Sequence, residues 1–228
     1  MSKLNLIDVI LYSLNSITNL DILSLNLLMG ALFFSTFVLY QYHNFILYLV
    51  LTLDVLVFNY LIYIASGVSI KRANLFTYFK LIVANFIVDL IAYAIFILFL
   101  LTGNLYVSLA IALIIFSFFI FVPVIITTED KKLHKGFLKV IFSSIINSFN
   151  FYKKEFIFTF STVLIILLIF FAINLLIFSI VYVIGYLINS ILYYVYALDL
   201  IIPLLSSFFL SYLITSEYRA AAYIYKLK

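Results

Sequence analysis

The chain has 228 residues, of which 68% are hydrophobic and only 10% are charged. Soluble domains are about half apolar and about a quarter charged, so this composition excludes an ordinary soluble globular protein. A bilayer span takes about 20 apolar residues, which leaves room for about six spans with short connections. The absence of cysteine excludes disulfides, thiol catalysis and cysteine-based zinc or iron–sulfur sites. Only two histidines are present, well apart, and we expect no metal site and no cofactor.

Residues 3–20 predict an amphipathic helix that lies on the membrane surface. At helical spacing, one face of this segment is apolar and the other is polar. The apolar face contains Leu4, Ile7, Ile10, Leu11, Leu14 and Ile17, and the polar face contains Asp8, Asn15 and Asn19.

Six apolar runs follow, at residues 22–41, 45–66, 80–102, 105–127, 156–180 and 199–222. These runs are far too long for transmembrane strands of about 10 residues. Gly103 and Asn104 predict a tight turn, and Pro123 and Pro203 fall near predicted helix ends, where Pro203 can kink the last helix. The predicted fold is all-α: a polytopic transmembrane bundle of about six spans that forms one integral membrane domain over residues 1–228.

The 13 Lys and Arg residues all fall on one side of a six-span topology. They precede the first span, lie in or directly beside the second and fourth connections, or lie at the end of the last span and after it. The other side receives only residues 41–44, 103–104 and 182–198. Because Lys and Arg accumulate on the cytoplasmic side, we expect a cell-membrane protein with both termini in the cytoplasm.

An amphipathic, cytoplasmic-side segment precedes each predicted pair of spans, at residues 3–20, 69–80 and 130–154. The strings VILYSLNSITNL and LKVIFSSIINSF are similar in the placement of Ser and Asn. Two interpretations stay open. The chain contains three repeated hairpins, or its three hairpins share a requirement for interfacial helices.

Residues 130–152 predict a basic amphipathic helix on the cytoplasmic leaflet. Its apolar stripe is Leu133, Phe137, Val140, Ile141, Ile145 and Phe149, and its polar flank is Lys132, Lys135, Lys139, Ser143 and Asn147. We expect Lys131, Lys132, Lys135 and Lys139 to meet anionic lipid headgroups, and the net charge of +4 to reflect this contact rather than nucleic-acid binding. Alternatively, the stripe docks on the protein's own spans.

Polar residues inside the spans are the candidate site, because they are unfavourable in lipid and mark function. Asp54 and Asp89 fall near mid-membrane, and Asn59 and Asn85 match in depth across the second and third spans. The pairs Asp54–Asp89 and Asn59–Asn85 are therefore candidates for two polar layers between these spans. Asp54 and Asn59 lie about 140° apart on their helix, so both layers cannot be equally direct. The interpretations are a proton or cation relay, or polar groups that fix helix packing.

The run FVPVIITTED, followed by KGFLKVIFSSIINSFNFYKKEFIFTFSTVLIIL, resembles a group of little-characterised prokaryotic six-span membrane proteins. These proteins are similar to the membrane domain fused to some glycerophosphodiester phosphodiesterases. Their pattern of a proline, an acidic turn, a basic helix with a central serine and a polar segment is matched here by Pro123, Glu129-Asp130, Lys139, Ser143 or Ser144, and residues 147–155. The tryptophan that often follows the serine is absent. The resemblance implies a fold and a membrane location, and no catalytic activity.

We find no phosphate-binding loop, nucleophile elbow or zinc-ligand spacing, and we predict no catalytic residue. The sequence therefore favours a non-enzymatic membrane protein that is a lipid-interacting scaffold or an assembly subunit, with a homo-oligomer possible. The alternative is a small transporter or channel that uses the midplane aspartates for proton or cation coupling. The absence of matched Gly- or Pro-broken spans counts against that alternative.

Overall fold

The computed structural model describes residues 5–15, 20–40, 45–67, 74–101, 105–129, 136–188 and 200–227, and the elements within these ranges are α-helices. In chain order they are α1 (Leu6–Leu14), α2 (Leu20–Leu39), α3 (Phe45–Ala65), α4 (Leu75–Leu100), α5 (Leu105–Phe119), α6 (Phe121–Glu129), α7 (Phe137–Lys154), α8 (Phe156–Ile188) and α9 (Ile202–Leu227). The predicted all-α class is confirmed.

Within the described residues, four helices are long and apolar enough to cross a membrane. The qualifying segments are Ile22–Leu39, Phe45–Ala65, Leu75–Leu100 and Phe156–Leu187. At 1.5 Å per residue, the shortest segment of 18 residues extends about 27 Å, close to the thickness of the hydrocarbon core. The other two predicted spans differ from these four. The run 105–127 is divided between α5 and α6, and α9 mixes hydroxyl and charged side chains with its apolar ones.

The division between α5 and α6 falls at Ile120 and has a local cause in Pro123. Proline has no backbone N–H and disfavours a continuous helix through the preceding turn. A backbone carbonyl beside the break is satisfied from another helix, because Ser148 Oγ in α7 donates a 2.7 Å hydrogen bond to the Phe118 carbonyl oxygen. Ile120 and Phe121 are buried, so the irregular backbone lies inside the protein, as a lipid environment requires.

Several helix bounds differ from the predicted ones. The third run begins at Leu75 rather than at residue 80, because Asn74 caps α4 by accepting a 2.9 Å hydrogen bond from the Phe76 backbone N–H. The described part of the segment 69–80 is therefore the cap and first turns of α4. The fifth run continues to Ile188, so Tyr182 lies within a helix and not in an outer connection. Pro203 is in the first turn of α9, where proline is tolerated, and it follows a π-helical turn at residues 200–201.

The last helix is central to the packing. α9 contacts α2, α3, α6 and α8, and α1 also packs on it. The ring of Phe208 lies directly over Gly30 of α2, where a Cβ atom would come within 2.8 Å of three ring atoms. Near the other end of α9, the Lys226 Nζ lies over Gly67, which has a positive φ of 100° just after α3.

The N-terminal amphipathic helix, α1, packs on the protein with one face and leaves a second, apolar face exposed. Val9 and Ser13 of α1 are fully buried, and the Tyr12 ring stacks on Tyr223 of α9 at 4.4 Å. Ile7 and Leu11, from the predicted apolar face, stay 62% and 60% exposed. The helix thus has three faces: the exposed apolar face, the predicted polar face, and a buried face with Val9 and Ser13 that lies between these two.

The predicted basic amphipathic helix corresponds to α7, which packs against α4, α5 and α6. Its residues Val140 and Ile141 are buried, so this part of the predicted stripe docks on the protein's own helices. A second apolar face points outward, and it consists of Leu138, Phe142, Ile146 and Phe149. Lys139 is exposed, whereas Lys131, Lys132, Lys135 and Leu133 lie outside the described residues.

Burial raises the pKa of the Tyr152 phenol, which lies at the end of α7 in contact with Phe118 of α5. This group therefore stays neutral through the physiological range. Because its pKa is raised, the neutral Tyr152 phenol contributes fully to the stability of the fold below the ordinary tyrosine pKa. This contribution falls as the pH rises above that value. The neutral phenol is the form that suits a buried helix contact.

Candidate functional site

Asn59 and Asn85 form a direct polar contact between α3 and α4. Asn85 Nδ2 donates a 2.7 Å hydrogen bond to Asn59 Oδ1, and Asn59 Nδ2 donates in turn to the Val55 carbonyl oxygen at 2.8 Å. The two side chains are only 5% and 9% exposed. The structure therefore brings together this predicted pair, which the matched depths indicated.

Asp54 lies on the opposite side of α3 and contacts α2. Thr36 Oγ1 donates a hydrogen bond to Asp54 Oδ2, and the carboxyl is 7% exposed. The other oxygen, Oδ1, has no hydrogen-bond partner among the described residues. Asp54 also borders a recess of about 270 Å³ that is otherwise lined by apolar side chains, namely Met29, Phe33, Val55 and Phe58.

Asp89 lies on the outer surface of α4, and the structure does not bring it to Asp54. Its exposed neighbours along the same face are Phe86, Leu90 and Tyr93. The five-residue step from Asp54 to Asn59 turns the helix by about 140°, so Asn59 faces α4 while Asp54 faces α2. The two-layer hypothesis is therefore wrong for the aspartates, and a shared-proton pair within one chain is not formed.

Two further polar contacts join apolar helices. Asn26 Oδ1 of α2 accepts hydrogen bonds from Ser211 Oγ and Thr215 Oγ1 of α9, both at 2.7 Å. Ser206 Oγ of α9 donates to Asn174 Oδ1 of α8 at 3.2 Å. Sequence reasoning missed Asn26, although an amide inside an apolar run is the same signal that selected Asn59 and Asn85.

Glu217 is the acidic residue that sequence reasoning missed. It lies in α9, is 3% exposed, and neither carboxyl oxygen has a hydrogen-bond partner in the described part of the chain. The Ser216 Oγ and Arg219 Nε atoms beside it are also buried without a partner there. Glu217 falls within the predicted span 199–222, so the rule that selected Asp54 also applies to it.

The arrangement of these groups favours packing chemistry. In the described ranges, no group of three or more His, Cys, Asp and Glu side chains is placed to hold a metal ion. The amides and hydroxyls are dispersed along separate helix contacts, where each pair forms hydrogen bonds that lipid cannot supply, and Asn26 Nδ2 is buried without a partner in the described part of the chain. The acids are dispersed too, since Asp54 and Glu217 are enclosed on different helices and Asp89 is exposed on a third.

Comparisons with models of protein families, with curated proteins and with solved structures gave no match. The resemblance to the six-span proteins therefore stays a prediction.

We expect the Asn59–Asn85 contact to show coupling in a double-mutant cycle. Asn59→Leu leaves the Asn85 amide without its acceptor, and Asn85→Leu leaves Asn59 Oδ1 without its donor. Each single variant should lower the free energy of unfolding by about 1 kcal/mol, and the double variant should lose less than the sum, because no orphaned amide remains. The measurement is unfolding in detergent.

The matched control is the pair Asn59→Leu and Asn174→Leu, whose side chains share no partner and should be additive within about 0.5 kcal/mol. Additive losses for Asn59 and Asn85 would show that their hydrogen bond does not stabilise the helix pair.

Proposed function

We propose that this chain is a non-enzymatic, six-span protein of the cell membrane that interacts with anionic lipid at its cytoplasmic surface and serves as a scaffold or assembly subunit. The observation that carries the proposal is the three-faced form of α1 and α7. Each helix buries one face on the bundle and leaves an apolar face exposed beside a polar one. Such a helix suits the boundary between protein, lipid and water.

In the proposed topology, α5 and α6 together make the fourth span and α9 makes the sixth. A broken helix is tolerated at membrane depth where it is buried in protein, as it is at Ile120. Hydroxyls and Glu217 in α9 face the interior rather than the lipid, which suits a span surrounded by other helices. This count keeps all 13 basic residues on the cytoplasmic side.

Cysteine labelling tests the topology. The chain has no native cysteine, so Asn44→Cys and Asn104→Cys each provide one thiol in a predicted outer turn. Both should react with a membrane-impermeant maleimide from outside intact cells. Lys3→Cys is the control and should react only after the membrane is opened. Labelling of Asn104→Cys solely from the cytoplasmic side would contradict the six-span arrangement.

The exposed faces of α1 and α7 correspond closely. At an offset of 131 residues, LIDVILYSL aligns with FLKVIFSSI. The buried residues Val9 and Ser13 then align with Val140 and Ser144, which are fully buried as well. The exposed residues Ile7 and Leu11 align with the exposed Leu138 and Phe142. This agreement supports a repeated unit and a common role at the membrane surface.

The polar face of α7 carries the charge that anionic lipid requires. Lys139, Lys153 and Lys154 are exposed on this helix, close in sequence to the lysines at positions 131, 132 and 135. Each lysine near an anionic surface contributes at most about 1 kcal/mol, and salt screens the attraction. A cluster of this size therefore supplies up to a few kcal/mol.

We expect replacement of Lys131, Lys132, Lys135 and Lys139 by Gln to remove a preference for anionic lipid. The full chain, in nanodiscs, should have a higher Tm in phosphatidylglycerol than in phosphatidylcholine, and the difference should shrink in high salt. The Gln variant should lose most of the difference because its charge is gone. The control replaces the same four lysines by Arg and should keep it. Equal values in both lipids for the unmodified protein would contradict the lipid interaction.

A second candidate function is proton or cation transport, and the observation that favours it is Glu217. Among the described residues, neither buried oxygen of its carboxyl has a partner; such a carboxyl is unfavourable as an anion, so it is expected to bind a proton or a cation. Asp54 likewise has one oxygen without a partner in the described ranges, and it borders a recess. The broken helix at Ile120 is of the kind found at transporter sites, although a matching break is required for the usual pattern.

Flux measurements in liposomes test this candidate. If Glu217 couples ions, the purified chain should dissipate an imposed pH or cation gradient, and Glu217→Gln should lower the rate at least about tenfold, as expected for loss of an essential proton-transfer group. Asp8→Asn is the control, since Asp8 is exposed on α1. No flux above empty liposomes with the unmodified protein would exclude transport and leave the scaffold as the proposed function.

A further inference from the structure

A recess of about 270 Å³ lies between α2 and α3, and one of the side chains that line it is charged, namely Asp54. The side chain of Asp54 is 7% exposed, whereas Val55 at the edge of the recess is 54% exposed, so the recess opens toward the outer surface of α3. The other lining residues are apolar: Met29, Phe33, Val55 and Phe58. An apolar recess with one enclosed polar group has the composition of a small ligand pocket.

Asp54 requires a proton or a cation, because the described part of the chain gives its carboxyl a single hydrogen-bond donor. Thr36 Oγ1 donates to Oδ2, and the buried Oδ1 has no partner among the described residues. Asp54 is nine residues beyond Phe45 in a helix of 21 residues, about 14 Å along an axis of about 32 Å, where lipid supplies no donor. The two helices that form the recess contain no Lys or Arg, so neither offers a counter-ion.

The walls of the recess favour an organic cation over a metal ion. Hard metal cations take about six or more oxygen ligands, whereas the side-chain oxygens that line this recess are the two of Asp54. The rings of Phe33 and Phe58 both line it, with their centroids 6.3 Å apart. Aromatic faces attract quaternary ammonium groups, and the attraction is stronger where water is excluded.

We propose that this recess binds an organic ammonium ion with an apolar body. The positive nitrogen lies next to Asp54, and the N-alkyl groups and the body lie against Phe33, Phe58 and Met29. The Thr36 hydroxyl holds Oδ2 and leaves Oδ1 for the ligand. The volume is close to the lower end of the range of about 300–1,000 Å³ for ligand pockets, which suits a ligand with one ring. Such a cation reaches the recess from the membrane.

This inference goes beyond the functions proposed above and depends on neither. It requires that α2 and α3 lie in the membrane, and both contain segments that are long and apolar enough to span it. The number of spans, the lipid contact of α7 and ion flux through Glu217 do not affect it.

Equilibrium dialysis with labelled benzyltrimethylammonium tests the proposal. The full-length chain is held in phosphatidylcholine nanodiscs, and empty nanodiscs give the background. Binding should saturate at one ligand per chain. Neopentylbenzene has the same shape, with carbon in place of the charged nitrogen. At equal concentration in the lipid, it should compete at least about tenfold more weakly, because it forms no ion pair with Asp54.

Asp54→Asn should lower the affinity for benzyltrimethylammonium at least about tenfold, as expected for loss of one partner of a buried charge pair. The variant keeps an acceptor for the Thr36 hydroxyl, and an unchanged or higher Tm in detergent would verify that it folds. The matched control is Asp89→Asn, which removes an exposed carboxyl of α4 that does not line the recess. This control should bind as the unmodified chain does.

Phe58→Leu tests the same site without changing the carboxyl. It should lower the affinity for the cation about fivefold, as expected for loss of one cation–π contact, and leave competition by neopentylbenzene unchanged. Phe86→Leu is the control, since Phe86 is exposed on α4 and does not line the recess.

The inference would be overturned by any of three results: no saturable binding above empty nanodiscs, equal competition by neopentylbenzene, or full affinity in Asp54→Asn. Sodium or potassium chloride should displace the ligand no more than N-methylglucamine chloride does at the same ionic strength. Stronger displacement would show that the site holds a metal cation instead. If binding depends on Asp54 while the anionic-lipid preference or the ion flux is absent, the corresponding proposed function is wrong and this site stands.

Discussion

The contact of α9 with α2 is the interaction on which the rest of the packing depends. Asn26 accepts from two hydroxyls of α9, and one turn away Gly30 lets the Phe208 ring lie against the α2 backbone. In lipid, apolar side chains gain little from meeting each other, so close approach and hydrogen bonds hold helices together. This contact joins residues 185 positions apart in the chain and closes the bundle around α9. The helices α1, α3 and α8 then pack against the joined pair.

The polar residues differ in how completely the fold satisfies them. Neutral polar groups can satisfy each other without any charge, as two amides do in Asn59–Asn85 and an amide and a hydroxyl do in Asn174–Ser206. A carboxyl needs either several donors or a proton. Asp54 has one donor in Thr36, whereas Glu217 has none in the described part of the chain. The amides therefore account for packing, and the acids are the groups for which a chemical role is still required.

Parts of this arrangement were predictable and parts were not. The lengths of the apolar runs predicted where the long helices lie. The equal depths of Asn59 and Asn85 in two antiparallel helices predicted that these side chains meet. The 140° step excluded a common face for Asp54 and Asn59, but only tertiary packing selects Thr36 on α2 as the partner of Asp54. Glu217 was missed because its neighbours include Arg219, which made the end of the last span resemble a cytoplasmic flank. The break at Ile120 follows from Pro123. The Phe118 carbonyl beside the break, however, is satisfied by the hydroxyl of Ser148, which lies 25 residues after Pro123 in the chain.

The two amphipathic helices explain how the hairpins stay associated. α1 precedes the α2–α3 hairpin, but it docks on α9 and α8. α7 precedes the α8–α9 hairpin, but it docks on α4, α5 and α6. Each helix therefore ties its own hairpin to a different one. In the proposed topology their buried faces lie at the end of the bundle that is near water, where the hydrophobic effect is stronger than in the lipid interior. The same placement leaves Ile7, Leu11, Leu138 and Phe142 exposed at that level, because one helix cannot bury all of its apolar residues on the bundle. The outward apolar faces are thus a physical consequence of packing these two helices across neighbouring hairpins, and in the proposed function these faces contact lipid.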